Sequence, residues 1–245
     1  MGALTGIRVL VTRPAHQAEN LCRMIEAEGG TAVRLPLLTI EPATQLAEAR
    51  GRLGVPRDLW IFTSANAVRH AQPLITGAWP GRVAAIGPAT ADALALAGQA
   101  DAVTPLSGSS SEALLGLPEL QALAGARVLI VTGEGGRDLL ERSLAARGAA
   151  VERAEVYRRV PLPYPPDAVA AALRKSDVVV VTSGELLEQL VRLTPEGSRA
   201  SLLKKPLVVP AARVVEKARE LGFVQPPRLA EPVSDATLCA ACAPP

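Results

Sequence analysis

Thr63-Ser64 and Thr182-Ser183 stand 119 positions apart, and each pair closes a short apolar run and opens a helical pattern. The runs read Asp58-Leu-Trp-Ile-Phe and Asp177-Val-Val-Val-Val. An uninterrupted apolar run ending in small hydroxyl residues is how a buried parallel strand hands over to a helix. At such a junction the free backbone N–H groups and the helix dipole favour an anion, and the hydroxyls add donors. Asn66 falls in the first turn of the helix that Ser64 opens. The chemistry on offer is the holding of phosphate or carboxylate.

Five further places carry polar groups near strand ends. Gly87-Pro88-Ala89-Thr90 follows the apolar segment Arg82–Ile86, and Ser107-Gly-Ser-Ser-Ser111 precedes the helical Glu112-Ala-Leu-Leu. The serine run reads either as a flexible loop or as a cap with spare hydroxyls that grips an anion. Gly133-Glu-Gly-Gly-Arg137 is no dinucleotide fingerprint, because the third glycine would fall at Asp138, and no P-loop exists anywhere. It is either a structural turn or a carboxylate holder using backbone N–H groups and the Arg137 fork. Tyr157 is expected at the end of a strand Val151–Val156, where a phenol donates a proton to a leaving hydroxyl or simply packs. Arg13, at the matching end of the first strand, meets an anion or lies in a surface turn.

Metal and cofactor chemistry finds little support. His16 and His70 are the only histidines, too few and too isolated for a metal site or a Ser-His-Asp triad. Cys239 and Cys242 have C-x-x-C spacing in an alanine-rich last helix, without a second ligand pair, and with Cys22 they make an odd number. They read as small buried or terminal residues and not as a zinc or redox centre. No metal and no cofactor are expected.

The elements that position these residues recur. Ile7–Thr12 reads as a strand, Gln17–Glu28 as a helix closed by Gly29-Gly30, and Thr31–Leu38 as a second strand. A helical pattern Ile40–Leu53, the strand Leu59–Phe62, a helix Ala65–Leu74, the strand Arg82–Ile86, a helix Ala91–Ala97 and a short strand Ala102–Pro105 follow. Arg127-Val-Leu-Ile-Val then restates Arg8-Val-Leu-Val-Thr at an offset of 119, and Arg82–Gly98 answers Pro206–Gly222 at 124, which sets Ser110 on Ser234. The chain is a duplicated α/β unit, too long for a solenoid repeat, and each copy suits a flavodoxin-like parallel sheet. The halves either fold in tandem or exchange their first two strands. Proline-rich segments at Leu35–Pro42 and Pro161–Pro166, against one proline in Gly116–Gly125, favour exchange. The expected domains are residues 1–39 with 165–245, and residues 40–164.

Composition narrows the classes. Of 245 residues 49% are hydrophobic and only 2% aromatic, so the cores are built from Ala, Leu and Val. The net charge is +2 and Lys204-Lys205 is the only lysine pair, which argues against a nucleic-acid surface. No apolar run approaches the ~20 residues of a membrane helix, and Met1–Gly6 leads straight into a strand without a signal-like segment. A cytoplasmic protein is expected.

Taken in order, Thr63-Ser64 with Ala67-Val68, Ile86-Gly-Pro-Ala-Thr-Ala91, Ser111-Glu-Ala-Leu114, the glycine turn with Arg137, Gly148 and Val156-Tyr157 resemble the uroporphyrinogen-III synthase family. The likeness runs from Ile7 to Cys239. It implies a monomeric, cofactor-independent enzyme with two flavodoxin-like domains joined by a two-stranded ladder, the first domain built from both chain ends. The implied substrate is hydroxymethylbilane, a linear tetrapyrrole with eight carboxylates. The implied reaction loses water and inverts the last ring through a spiro intermediate. Tyr157 matches the family tyrosine proposed as proton donor. Thr63, Ser64, Thr90 and Ser183 match its hydroxyl-bearing cleft residues, and Arg13 and Arg137 match basic positions less closely. Asn66, Ser111 and Arg213 complete the candidate substrate-binding set. The second copy departs from the family's Gly-Pro-Thr-Thr with Pro210-Ala-Ala-Arg213, which exchanges a hydroxyl for a charge. Exchanged strands put Thr63-Ser64 and Thr182-Ser183 in opposite domains, where they are expected to grip one substrate from two sides. A transient contact with the preceding enzyme of the pathway stays open. Two other classes compete: a two-lobed binding protein for a small polyanion without catalysis, and a receiver-type regulatory pair, for which Glu134 with Asp138 is a poor acidic cluster.

Overall fold

A computed structural model describes residues 2–79, 81–106 and 108–244. The first half runs β1 (Arg8–Val11), α1 (Ala15–Ala27), β2 (Thr31–Arg34), β3 (Leu38–Pro42), α2 (Leu46–Leu53), β4 (Leu59–Phe62), α3 (Ala65–Ala71), β5 (Val83–Ala85), α4 (Pro88–Leu96) and α5 (Ser111–Leu115). The second runs β6 (Arg127–Gly133), α6 (Leu139–Ala146), β7 (Ala150–Pro161), α7 (Pro166–Arg174), β8 (Val178–Val180), α8 (Gly184–Leu193), α9 (Glu196–Leu203), β9 (Leu207–Val209), α10 (Ala212–Glu220), β10 (Arg228–Leu229) and α11 (Asp235–Ala240).

The chain forms two compact units, residues 1–39 with 160–245 and residues 40–159. In the first, the strand order is β10-β9-β8-β1-β2 with β1 parallel to β2 and to β8. Numbered along the chain, that is the 2-1-3-4-5 order of a flavodoxin-like sheet. In the second the order is β3-β7-β6-β4-β5, with β4 parallel to β5 and β6 and a single parallel bridge from Ala84 to Val103 beyond β5. With β6 and β7 counted first, the same order appears, and β3 is an addition beside β7. The exchange is explicit in the pairing: β1 lies beside β8, and β6 beside β4. Both crossings between units fall inside strands, at Thr39–Ile40 in β3 and Arg159–Val160 in β7.

Continuous apolar strands feed cores on both faces of each sheet. In the second unit Trp60, Phe62, Leu129 and Val131 enter one cluster, and Leu59, Ile61, Val128 and Ile130 enter the other. The alternation follows the period of two along β4 and β6. In the first unit Val9, Val11, Val178, Val180 and Val208 pack with Leu21 and Ile25 of α1 and Leu238 of α11. The end of α1 is set by Gly29, whose φ of 79° lets its N–H reach Glu26 O and the next N–H, from Gly30, reach Ile25 O.

Four expectations need correction. The strand expected over Thr31–Leu38 stops at Arg34, and Leu38 already opens β3. Ile40–Leu53 is not one helix: β3 runs to Pro42 and α2 starts only at Leu46. Pro42 lacks an N–H and holds a fixed φ, which a strand end accommodates and a helix interior does not. The stretch Ala102–Pro105 is reduced to the Val103 bridge. The strand expected to stop at Val156 continues to Pro161, so Tyr157 lies inside β7.

Candidate active site

All the parallel strands of the second unit's sheet point their carboxyl ends to one edge, and β4 and β6 are the neighbours at which the strand order reverses. Ligands of open α/β sheets bind outside the carboxyl ends at such a switch point. Thr63 and Ser64 sit there. The Thr63 hydroxyl donates to Thr132 Oγ1 at 2.8 Å, joining the ends of β4 and β6. Ser64, in extended backbone, caps α3 by accepting the Ala67 N–H at 3.0 Å. Its Oγ also lies 3.1 Å from the Tyr157 hydroxyl oxygen and donates to it.

A β-bulge aims that tyrosine. β7 follows β6 residue for residue up to Thr132 opposite Glu155, and then Gly133 faces Tyr157, leaving Val156 extra. Before the bulge Ala154 and Val156 face the cluster of Phe62 and Val131, and Val151 faces the opposite one. Strict alternation would turn Tyr157 to Val151's side. The extra residue returns it to the cluster of Ala154 and Val156, beside α3. A Cβ on Gly133 would lie 2.5 Å from Tyr157 Cζ, so the ring covers the glycine and only glycine leaves it room. The His70 ring packs 5.8 Å from the tyrosine ring, and the Arg159 guanidinium carbon is 5.9 Å from its centroid.

The other candidates of this unit are distributed around the same sheet. Asn66 is half-buried in the first turn of α3, and Thr90 is buried in the first turn of α4, which packs on α3. Ser111 is the first residue of α5, whose cap is the neighbouring Ser110, accepting the Ala113 N–H at 3.2 Å. Ser107 lies outside the described residues. Arg137 is exposed and bridges to Glu112 at 2.7 Å. Hydrogen bonding from its own backbone N–H, and then from Arg137, holds the Glu112 carboxyl below its ordinary range. A cavity of about 410 Å³ is lined by Thr44, Glu48, Arg52, Glu134, Arg153 and Glu155. Its charges are paired internally, Arg52 with Glu48 and Arg153 with Glu155, while Glu134 accepts the Thr44 N–H. That bond holds the Glu134 carboxyl below its usual value.

Arg13, Ser183 and Arg213 belong to the first unit. Ser183 caps α8 through the Leu186 N–H at 3.2 Å, the counterpart of Ser64. Arg13 is ion-paired with Asp235 in the first turn of α11, and Asn20 shares that carboxylate at 2.8 Å. Arg213 is exposed on the first turn of α10. Ala211 and its counterpart Gly87 both start their helices without a side-chain cap, so the departure at Pro210–Arg213 costs no capping bond.

Within the second unit, then, Ser64 and Tyr157 form one bonded pair, and the neighbouring Thr63 bonds separately to Thr132, so the three make one local array. Thr132, Gly133, His70 and Arg159 complete it; the sequence marks Gly133 only as part of the glycine turn and does not mark the other three as site residues. Thr132 occupies the place that Arg13 holds in the other copy, and Arg159 is two residues past Tyr157 on the same strand, the spacing at which strand side chains share a face. Among the described residues no group of His, Cys, Asp and Glu converges as metal ligands would, and no helix is long and apolar enough to cross a membrane.

Known proteins bear on this array. The family model described as uroporphyrinogen-III synthase HemD matches residues 19–228. A uroporphyrinogen-III synthase of Salmonella typhimurium is 40% identical over 225 residues, covering 88% of this chain and 92% of that protein. One from Escherichia coli is 38% identical over 226 residues, with the same coverage. Among solved structures, a mutant uroporphyrinogen III synthase from the extremely thermophilic bacterium Thermus thermophilus matches the fold with a TM-score of 0.66 at 21% identity, over 96% of both chains. The Helicobacter pylori uroporphyrinogen-III synthetase gives 0.61 at 15% identity, over 96% of this chain and 98% of that one. These matches favour an enzyme over a non-catalytic binding protein. With the family model spanning most of its length and relatives near 40% identity over nearly all of it, the chain belongs to the uroporphyrinogen-III synthase family.

Proposed function

We propose that this chain cyclises hydroxymethylbilane to uroporphyrinogen III, with loss of one water and inversion of the last pyrrole ring. The observation that carries the mechanistic part is the Tyr157 hydroxyl at the switch point, with Ser64 Oγ 3.1 Å away. A phenol has one proton to give and two lone pairs. Ser64 donates into one lone pair, so the phenolic proton is free to go to the substrate.

In the proposed reaction Tyr157 protonates the hydroxyl of the bilane as its C–O bond breaks, and water leaves. The substituted carbon of the last ring then attacks the methylene left behind and forms a spiro intermediate. That ring's old bond breaks, it recloses through its other side, and a ring proton is lost, which balances the proton spent. The side chains need to supply acid help and fixed geometry, the second being the larger share. Thr63, Ser64, Asn66, Thr90, Ser111 and Arg137 in this unit, and Arg13, Ser183 and Arg213 in the other, are proposed to meet the substrate's carboxylates. Helix-start N–H groups with a hydroxyl or arginine nearby suit that task. Arg13 and Arg137 each already hold a carboxylate, Asp235 and Glu112, which a substrate carboxylate would have to replace or share. We assign the reaction to a single chain in the cytoplasm, taking its unstable substrate by brief contact with the enzyme that makes it.

The test is product analysis. The purified chain, given freshly generated hydroxymethylbilane, is expected to yield the type III isomer. A product no different from the spontaneous type I ring overturns the proposal.

A further inference from the structure

We infer that Arg159 is a positioning residue for Tyr157, the group that fixes where the phenolic proton points and that steadies the oxygen as it gives the proton up. The inference rests on the function proposed above and adds a residue to it.

Two direct contacts and one relayed through Glu134 tie Arg159 to the tyrosine. The guanidinium lies 5.9 Å from the Tyr157 ring centroid, within the range of a cation–π contact. Its Nη1 is 3.5 Å from the tyrosine Oη, a long contact, and its Nη2 donates to Glu134 O at 3.3 Å. The Glu134 N–H in turn donates to Tyr157 O at 2.8 Å. Backbone and side chain of the tyrosine are therefore bound to one short segment, Gly133-Glu134, with Arg159 closing the ring of bonds. The bulge makes this possible: it turns Tyr157 toward α3, and two residues further along β7 Arg159 follows on the same face.

The consequence is chemical. Ser64 donates into one lone pair of Oη and Arg159 Nη1 approaches as a second donor. With donors at both lone pairs, the only role left to the phenolic hydrogen is donation outward. As that hydrogen transfers, negative charge develops on Oη beside a guanidinium that never loses its own charge. Ser64, being neutral, orients the oxygen but adds far less to that stabilisation. The half-buried setting of Arg159 keeps the contact from being fully screened.

An arginine that merely held a substrate carboxylate would behave differently, and kinetics separate the two. The experiment compares wild type, Arg159→Met, Arg159→Lys, Tyr157→Phe and Tyr157→Phe/Arg159→Met, with type III product followed from fresh hydroxymethylbilane. Circular dichroism and melting midpoints check that each is folded. Arg159→Met is expected to lower kcat about tenfold with KM within about twofold, and Arg159→Lys to recover most of the loss because the charge remains. In the Tyr157→Phe background Arg159→Met is expected to have no further effect on kcat, since the oxygen it serves is gone. A raised KM at unchanged kcat, or equal losses with and without the tyrosine hydroxyl, overturns the inference. Wild type making only the type I ring overturns the proposed function itself, whereas an active wild type matched by Arg159→Met overturns the role of Arg159 alone.

Discussion

Arg8, at the head of β1, is held by Asp177, the residue that precedes β8 by one position and lies 169 residues along the chain. The carboxylate accepts the Arg8 backbone N–H at 2.9 Å, Nε at 2.9 Å and Nη2 at 2.7 Å. The other copy repeats the device: Asp58 accepts the Arg127 N–H at 2.7 Å and its Nε and Nη2 at 3.4 Å. Each aspartate thus serves the arginine of the opposite repeat. Arg8→Ala and Asp177→Asn are expected to be coupled in a double-mutant cycle, whereas Arg8→Ala and Asp58→Asn are expected to add. Asp177→Asn alone is expected to lower the melting midpoint by roughly 2–4 °C, the discounted effect of a half-exposed pair that also loses a backbone acceptor. Coupling between Arg8 and Asp58 would contradict the exchanged pairing.

The same pairs contribute to the acid sensitivity of the fold. Hydrogen bonding from the Arg8 side chain holds Asp177 below its ordinary range, and the Arg127 backbone N–H, followed by its side chain, does so for Asp58. A carboxylate with a depressed folded value binds fewer protons folded than unfolded. Its contribution is complete above the unfolded value of about 3.9 and is lost as pH falls through the folded one. Melting midpoints are therefore expected to change little between pH 7 and about 5 on account of these groups and to fall below about pH 4. The double variant Asp58→Asn/Asp177→Asn should fall less steeply there. An identical acid slope in both proteins would remove these pairs from the explanation.

How much of this was legible beforehand can be judged from particular residues. Repetition made Arg8 and Arg127, Asp58 and Asp177, and Ser64 and Ser183 visible as equivalents, and the prolines around the crossings pointed to exchange. Residue types do not say which arginine meets which aspartate, since both copies carry the same chemistry. That is decided by which strands pair. Tyr157 was legible as a candidate proton donor, but its setting was not. A bulge adds one residue without a marker in the apolar pattern, and the alternation on which strand reading relies then assigns the phenol to the wrong face. Thr132 and Gly133 became part of the array for the same reason, because their partners come from β4 and from beyond the bulge.

Gly133 gives a direct test of that setting. Its backbone is not in the left-handed region, so the constraint is space: an added methyl meets Tyr157 Cζ at 2.5 Å. Gly133→Ala is expected to push the ring off its bond with Ser64, lower kcat about as much as Tyr157→Phe, and destabilise by about 1–3 kcal/mol through overpacking. Gly51, inside α2 with open space around its Cα, makes the contrast. Gly51→Ala is expected to stabilise by roughly 0.5–1 kcal/mol from helix propensity and leave turnover unchanged. A Gly133→Ala variant with normal kcat would mean that the position of the ring is immaterial.

The C-x-x-C pair is accessible to a simple chemical test. Cys22, Cys239 and Cys242 are all buried and lie in one hydrophobic cluster with α1, β1 and α11. Burial pushes the Cys22 and Cys239 thiols up and the Cys242 thiol up to about 12, and the Cys242 Sγ–H donates to Leu238 O at 3.2 Å. The thiolate is the form that attacks electrophiles and binds zinc, so both burial and protonation oppose reaction. An aromatic disulfide reagent at pH 8 is expected to find essentially no reactive thiol in the folded chain and three after unfolding in denaturant. Added zinc is expected to leave the melting midpoint unchanged, because a structural site needs about four ligands and these thiols are packed against aliphatic side chains. Rapid modification of one thiol in the native state, or a midpoint that rises with zinc, would return the pair to the set of working residues.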